Sequence, residues 1–272
     1  MSRSKSFHVR LFFSVCLSLV AASAHAQSFT KPAEADSLML QGKKMLNRAV
    51  EQWDVDGMQK ARAHFERLLG TKHRPALAHY YLGYCSHQLN IFYRYNPNAT
   101  KADKDDADKL VDSGIQHLEK AIQLDKNFAE AYALVASLYG EKIGNNPLLG
   151  MTLGPKSGVF MEKAIKLAPE NPRVVYLDAI SKNFTPAMFG GSKEKAISGL
   201  YQAGELFAKW KSSDPLAPAW GHAECYAWLG NILTEQKKFS EAREAFEKSL
   251  VLRPNYGWVK YNLLPELDAA SK

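Results

Sequence analysis

The chain is 272 residues long, 46% hydrophobic, and carries 35 Lys and Arg against 28 Asp and Glu, a formal net charge of +7. Its basic residues are not clustered into a block, which argues against a nucleic-acid partner. No segment is apolar over the ~20 residues that a membrane-spanning helix needs.

The first ten residues, MSRSKSFHVR, hold Arg3, Lys5 and Arg10 and no acid. An apolar run from Leu11 to Ala22 follows, and then Ala24-His25-Ala26. A basic head, a short apolar run and a small-residue cleavage site predict a secretory signal peptide over residues 1–26. Cys16 lies inside the apolar run, and no Cys follows the cleavage site, which argues against a bacterial lipid anchor. The mature chain is expected to begin at Gln27, in the periplasm or secreted, with 27–33 as a short linker and no membrane-embedded part.

From there, apolar and small residues recur at helical spacing. QKARAHFERLL offers Ala61, Phe65 and Leu68, and AHYYLGYCSHQL carries Leu82-Gly83. The aromatic run NIFYRYNPNA reads as the start of a long loop, with Phe92, Tyr93 and Tyr95 as candidate partner contacts, because Tyr and Arg are frequent hot-spot residues. Such a cluster equally suits packing back onto its own helices. In KADKDDADKL, the acids fail as a calcium loop: counting from Asp103, positions six and twelve are Asp108 and Gly114, where Gly and Glu are needed. They suit the positive end of a helix dipole instead.

HLEKAIQLDKNFAEAYALVASLYG supplies Leu118 and Ala121, then Tyr132, Val135-Ala136 and Tyr139 of a new helix. The stretch GMTLGPKS, residues 150–157, comes within one residue of the phosphate-binding pattern G-x-x-x-x-G-K-S/T. A phosphate loop follows a strand and binds through successive backbone N–H groups, whereas a helix precedes this one and Pro155 has no N–H to give. The stretch is expected to be a loop with Ser157 as helix N-cap. A related loop, TPAMFGGSKEKAI, follows. Lys156 and Lys193 are the candidate contacts for an anionic group on a partner, near helix N-termini.

The clearest pattern is late: YAWLGNILTEQKKFSEAREAFEKSLVLRPN places Leu229-Gly230, Ala242, Phe246, Ser249 and Pro254 at fixed offsets. It resembles the tetratricopeptide repeat, a helix–turn–helix unit of about 34 residues. Small residues let two antiparallel helices approach, Phe246 fills the gap to the next unit, and Pro254 ends the second helix. One unit cannot bury its apolar face alone, so several must stack. The resemblance implies an all-α solenoid over 34–272, with units at about 34–75, 76–126, 127–169, 170–213 and 216–254 and a capping helix at 256–268. The chain is also similar to exported bacterial tetratricopeptide proteins whose middle units carry Gly-Lys loops, a likeness that supplies no reaction or ligand. Against a strict 34-residue period, unit two carries a 19-residue insertion and unit three a nine-residue one, both expected as loops. Cys85 and Cys225 fall three repeats apart in an elongated array, too far for a disulfide.

By this resemblance, the concave face is lined by the first helix of each unit and binds extended peptides. The facing positions are Tyr80, Tyr84, His87 and Gln88 in unit two, Glu130 in unit three, Arg173, Tyr176 and Asn183 in unit four, and Asn231 and Glu235 in unit five. No histidine pair has metal-ligand spacing, no catalytic signature is present, and no cofactor, metal or enzyme activity is expected. The expected function is an exported scaffold for another envelope or secreted protein or peptide. The alternative is a periplasmic binder of a small anionic ligand or cell-wall fragment.

Overall fold

A computed structural model describes residues 32–96 and 98–272. The predicted leader, residues 1–26, lies outside the described residues, as does most of the linker. Eleven helices and no strand are found among the described residues. They are α1 (Pro32–Gln52), α2 (Val55–Leu69), α3 (Pro75–Tyr95), α4 (Lys101–Leu124), α5 (Ala129–Asn145), α6 (Gly150–Leu167), α7 (Pro172–Phe184), α8 (Lys193–Lys209), α9 (His222–Glu235), α10 (Phe239–Leu252) and α11 (Leu264–Ala270). Consecutive helices pack in pairs, and the odd-numbered helices α1 to α9 form a continuous inner row. This is the expected all-α, tetratricopeptide-like solenoid.

Local sequence explains where the helices start. The Asp54 side chain accepts from Gly57 N at the head of α2, and Ser192 does the same for Lys195 N in α8. Thr100 and Asp103 form a reciprocal capping box on α4, so the acidic run stabilises a helix start. The Leu-Gly pairs act through close approach. A Cβ on Gly83 would stand 2.3 Å from Leu118 Cγ, and one on Gly230 would stand 2.4 Å from Phe246 Cε1. Only glycine lets these helices meet at that separation.

Two expectations about the middle of the chain are corrected. The extra residues of unit two lengthen helices, since α3 spans 21 residues and α4 spans 24, with only 96–100 between them. Phe92, Tyr93 and Tyr95 therefore sit on the last turns of α3 and not in a loop. Gly150 to Ser157 also lies inside a helix, α6, with Pro155 in its interior. Pro155 forgoes one helical hydrogen bond where the chain is exposed, so solvent takes that carbonyl at small cost. Ser157 is not an N-cap: its Oγ donates to Ala136 O at 2.8 Å and ties α6 to α5.

The C-terminal segment, expected as a capping helix over 256–268, carries Pro265 within it. A π-helical turn, Val259–Leu263, precedes α11, so Pro265 falls in the first turn after a wider register, where its missing N–H is not needed. The array is not extended. Trp258 at the head of this turn stacks on Trp53 at the end of α1, with centroids 5.7 Å apart, and Asn262 Nδ2 donates to Tyr95 O at 3.3 Å. The C-terminal segment thus crosses the inner face and joins the fifth unit to the first and second.

Candidate functional site

The connection between α8 and α9, residues 210–221, has no regular secondary structure and runs along the inner row of helices. Asp214 to Ala217 form a turn, with Ala217 N donating to Asp214 O at 3.1 Å and Pro215 at its second position. Lys43 on α1 donates to Pro215 O at 2.5 Å and Ala217 O at 2.6 Å. Tyr81 Oη on α3 donates to Leu216 O at 2.8 Å. Arg173 Nη1 on α7 donates to Trp220 O at 3.3 Å. Arg74 pairs with Asp214 at 2.6 Å on the rim. Three helices of three units therefore hold this segment by its carbonyls.

Its anchor is Trp220, which is 3% exposed. The indole stacks on Tyr84 with centroids 4.4 Å apart, and Nε1 donates to Tyr80 Oη at 2.9 Å. Tyr176 meets it edge-on at 6.3 Å. Tyr80, Tyr84, Tyr176 and Arg173 are thus brought together as expected for groove residues, but each is buried at 2% exposure or less beneath the chain's own residues. Burial holds the phenols of Tyr80, Tyr84 and Tyr176 neutral, well above their usual range.

Most of the other expected groove residues are tied into internal networks. Gln88 Nε2 donates to Tyr84 Oη at 3.1 Å. His87 pairs with one oxygen of Glu141, while Asn90 donates to the other at 2.6 Å. Glu130 accepts from Asn171 at 2.7 Å and lies 3.5 Å from Arg173 Nε. Asn183 and Asn231 are half-buried, and Asn183 Oδ1 has no hydrogen-bond partner. Glu235 is brought against Lys193, 2.7 Å apart, both about 45% exposed.

The expected loop contacts divide in two. Phe92 and Tyr95 tuck into an aromatic cluster: Phe92 lies 5.2 Å from Trp53, and Tyr95 lies 5.4 Å from both Trp228 and Trp258. Tyr93 accepts from Gln59 Nε2 at 3.2 Å. Lys156 and Lys193, in contrast, are exposed, on α6 and at the head of α8. Close to them along the chain stand residues that sequence reasoning missed. Leu148 (87% exposed), Met188 (83%) and Phe189 (69%) occupy the equivalent connections of units three and four, and Met151 (89%) lies on the first turn of α6. The Met and Phe in TPAMFGG were visible in the sequence, but spacing alone does not say that they point outward.

A cavity of about 330 Å³ opens beside the threaded segment, lined among others by Lys43, Arg173, Phe207, Trp210 and Trp220. Burial pushes the Lys43 amine down to about 8, with Asp214 working against that shift and Arg173 reinforcing it. Among the described residues, no group of His, Cys, Asp or Glu is arranged to hold a metal ion, and no helix is long and apolar enough to cross a membrane. Cys85 and Cys225 are both free and buried.

Comparison with known proteins adds a family and a fold. The tetratricopeptide repeat family model matches residues 223–256. The HusA haemophore from Porphyromonas gingivalis is 25% identical with a TM-score of 0.61, over 76% of this chain and 94% of that one. The assembly chaperone of RpL4, Acl4, is 17% identical over 88% of this chain and 86% of that one, with a TM-score of 0.36. No curated protein matches the sequence. Residues 223–256 thus match the tetratricopeptide repeat, and the chain as a whole is similar in fold to a helical-repeat protein.

Proposed function

We propose that this protein is an exported, non-enzymatic scaffold that docks a partner protein on the connections of units three and four. A tetratricopeptide array supports a protein-interaction role in general. The choice of face rests on one contrast. The inner-face residues Tyr80, Tyr84, Arg173 and Tyr176 are covered by residues 214–220, while Leu148, Met151, Met188 and Phe189 stand in solvent. Single exposed apolar residues are ordinary. Four large ones in or next to equivalent connections of neighbouring repeats are the pattern of an interaction surface. Lys156, exposed about one and a half turns after Met151 on α6, favours an acidic partner surface. Export rests on the basic head, the apolar run and Ala24-His25-Ala26 at the start of the chain, and places the partner in the cell envelope or outside the cell.

Affinity capture from envelope extract tests this reading, with the native protein beside a Met151→Glu/Phe189→Glu variant. A partner held by the native protein and lost by the variant supports it. Equal capture by both proteins overturns the choice of face.

A second reading, carriage of a small anionic ligand, is favoured by the likeness to a protein described as a haemophore. Titration with haem, followed by its absorbance, tests it: saturable binding at one equivalent supports carriage, and featureless partitioning contradicts it.

A further inference from the structure

The cavity beside residues 210–220 holds two buried cations whose charge is incompletely answered. Lys43 is 6% exposed, and its partners are two backbone carbonyls and the face of Tyr81, 5.9 Å away. It makes no ion pair among the described residues. Arg173 is 2% exposed, and its Nε has no hydrogen-bond partner, with Glu130 Oε1 at 3.5 Å and already engaged by Asn171. The one acid lining the cavity, Asp214, is committed to Arg74 at 2.6 Å and to Leu216 N at 2.9 Å. A buried charge without an ion-pair partner is unfavourable unless something completes it; Lys43 is such a charge, and Arg173, whose ion pair is the 3.5 Å approach of Glu130, borders the same space. Aromatic rings complete the wall: the Arg173 guanidinium lies 5.6 Å from the Trp210 ring and 5.9 Å from that of Phe207. Trp210 is 41% exposed, against 7% for Phe207, which puts the mouth of the cavity at the indole.

We propose that this cavity binds a small organic carboxylate carried on a flat aromatic group, with the carboxylate between Lys43 and Arg173 and the ring against Trp210. A volume of about 330 Å³ falls at the lower end of small-molecule sites and suits a ligand of one or two rings. An inorganic anion would leave the aromatic wall unused, and a neutral ring would leave Lys43 without a counter-charge. The site goes beyond partner docking, involves none of the residues proposed for it, and stands or falls separately.

Calorimetric titration of the purified protein with indole-3-acetate tests the site, with indole and acetate as the two halves of the probe. One equivalent of indole-3-acetate is expected to bind, and each half to bind at least about ten-fold more weakly, as loss of a charge-assisted contact implies. Lys43→Met is expected to weaken binding by a similar factor. Because Lys43 also holds residues 215–217, Trp210→Ala at the exposed mouth provides a second variant, expected to keep the native melting temperature and lose the ligand. Indole binding as well as indole-3-acetate overturns the proposal, as does undiminished binding by either folded variant or no binding of indole-3-acetate at all. A Trp-terminated peptide that binds more tightly with a free than with an amidated C-terminus, and more tightly than indole-3-acetate, reassigns the site to a protein terminus and also overturns it.

Discussion

Trp220 and Tyr84 stack with their ring centroids 4.4 Å apart, 136 residues from each other in the chain, and both are almost fully buried. This contact closes the inner face of the array. Replacing Trp220 with Ala removes the stacked ring and leaves the Tyr80 hydroxyl without its donor. Truncating a buried aromatic side chain typically costs about 3–5 kcal/mol. Chemical denaturation of Trp220→Ala is therefore expected to show a loss in that range. A loss below about 1 kcal/mol would mean that residues 210–221 are a loosely attached flap, not part of the core.

Two glycines inside helices should respond in opposite directions to the same change. Gly83→Ala drives a methyl group to 2.3 Å from Leu118 Cγ, between α3 and α4. Overpacking of this kind costs about 1–3 kcal/mol. Gly158 lies in α6 with nothing within 4 Å of its added Cβ, so Gly158→Ala should stabilise by about 0.5–1 kcal/mol through helix propensity. Melting temperatures that shift the same way for both variants would contradict the packing assigned to α3 and α4.

His79 and His117 face each other across α3 and α4, with Nδ1 atoms 2.9 Å apart. One ring must donate and the other accept, so the accepting ring must be a neutral imidazole and protonation of both rings breaks the contact. Burial lowers both, helped by Lys120 at His79 and by His79 and Arg62 at His117, which falls to about 4. The folded values lie below the unfolded value of 6.5, so between those limits the unfolded chain binds more protons. The contribution is complete above about pH 6.5 and is lost as the pH falls towards 4. Because both rings are only half-buried, the effect is on the order of 1 kcal/mol after screening. Urea midpoints at pH 7.5 and pH 5 should separate less in His117→Gln than in the native protein. An unchanged separation contradicts the neutral pair.

What the sequence made legible follows from the range of each interaction. Leu82-Gly83 and Leu229-Gly230 mark close helix contacts because each partner, Leu118 or Phe246, lies in the next helix, at the repeat's own spacing in unit five and 19 residues further on in unit two. The stretch Gly150–Ser157 was misread because Gly and Pro argue against a helix locally, while packing of α6 on α5 through Ser157 decides otherwise. Tyr84 and Arg173 lie on the inner row of helices, where the repeat pattern puts them, but no pattern reveals the segment that covers them. Residues 215–217 reach Lys43 across more than 170 positions, and no periodicity carries that information. The one local trace is the pair of prolines in DPLAPAW, which marks a turn between helices and not where it lies.

The claim that the inner face is filled by the chain itself is tested most directly by hydrogen exchange at the tryptophan indoles, followed by NMR. With Trp220 Nε1–H bound to Tyr80 and sealed from solvent, its proton should exchange only on global unfolding, orders of magnitude more slowly than that of half-exposed Trp210. Comparable exchange of the two indoles would mean that residues 210–221 leave the groove in the folded protein, and that the inner face is open to a partner after all.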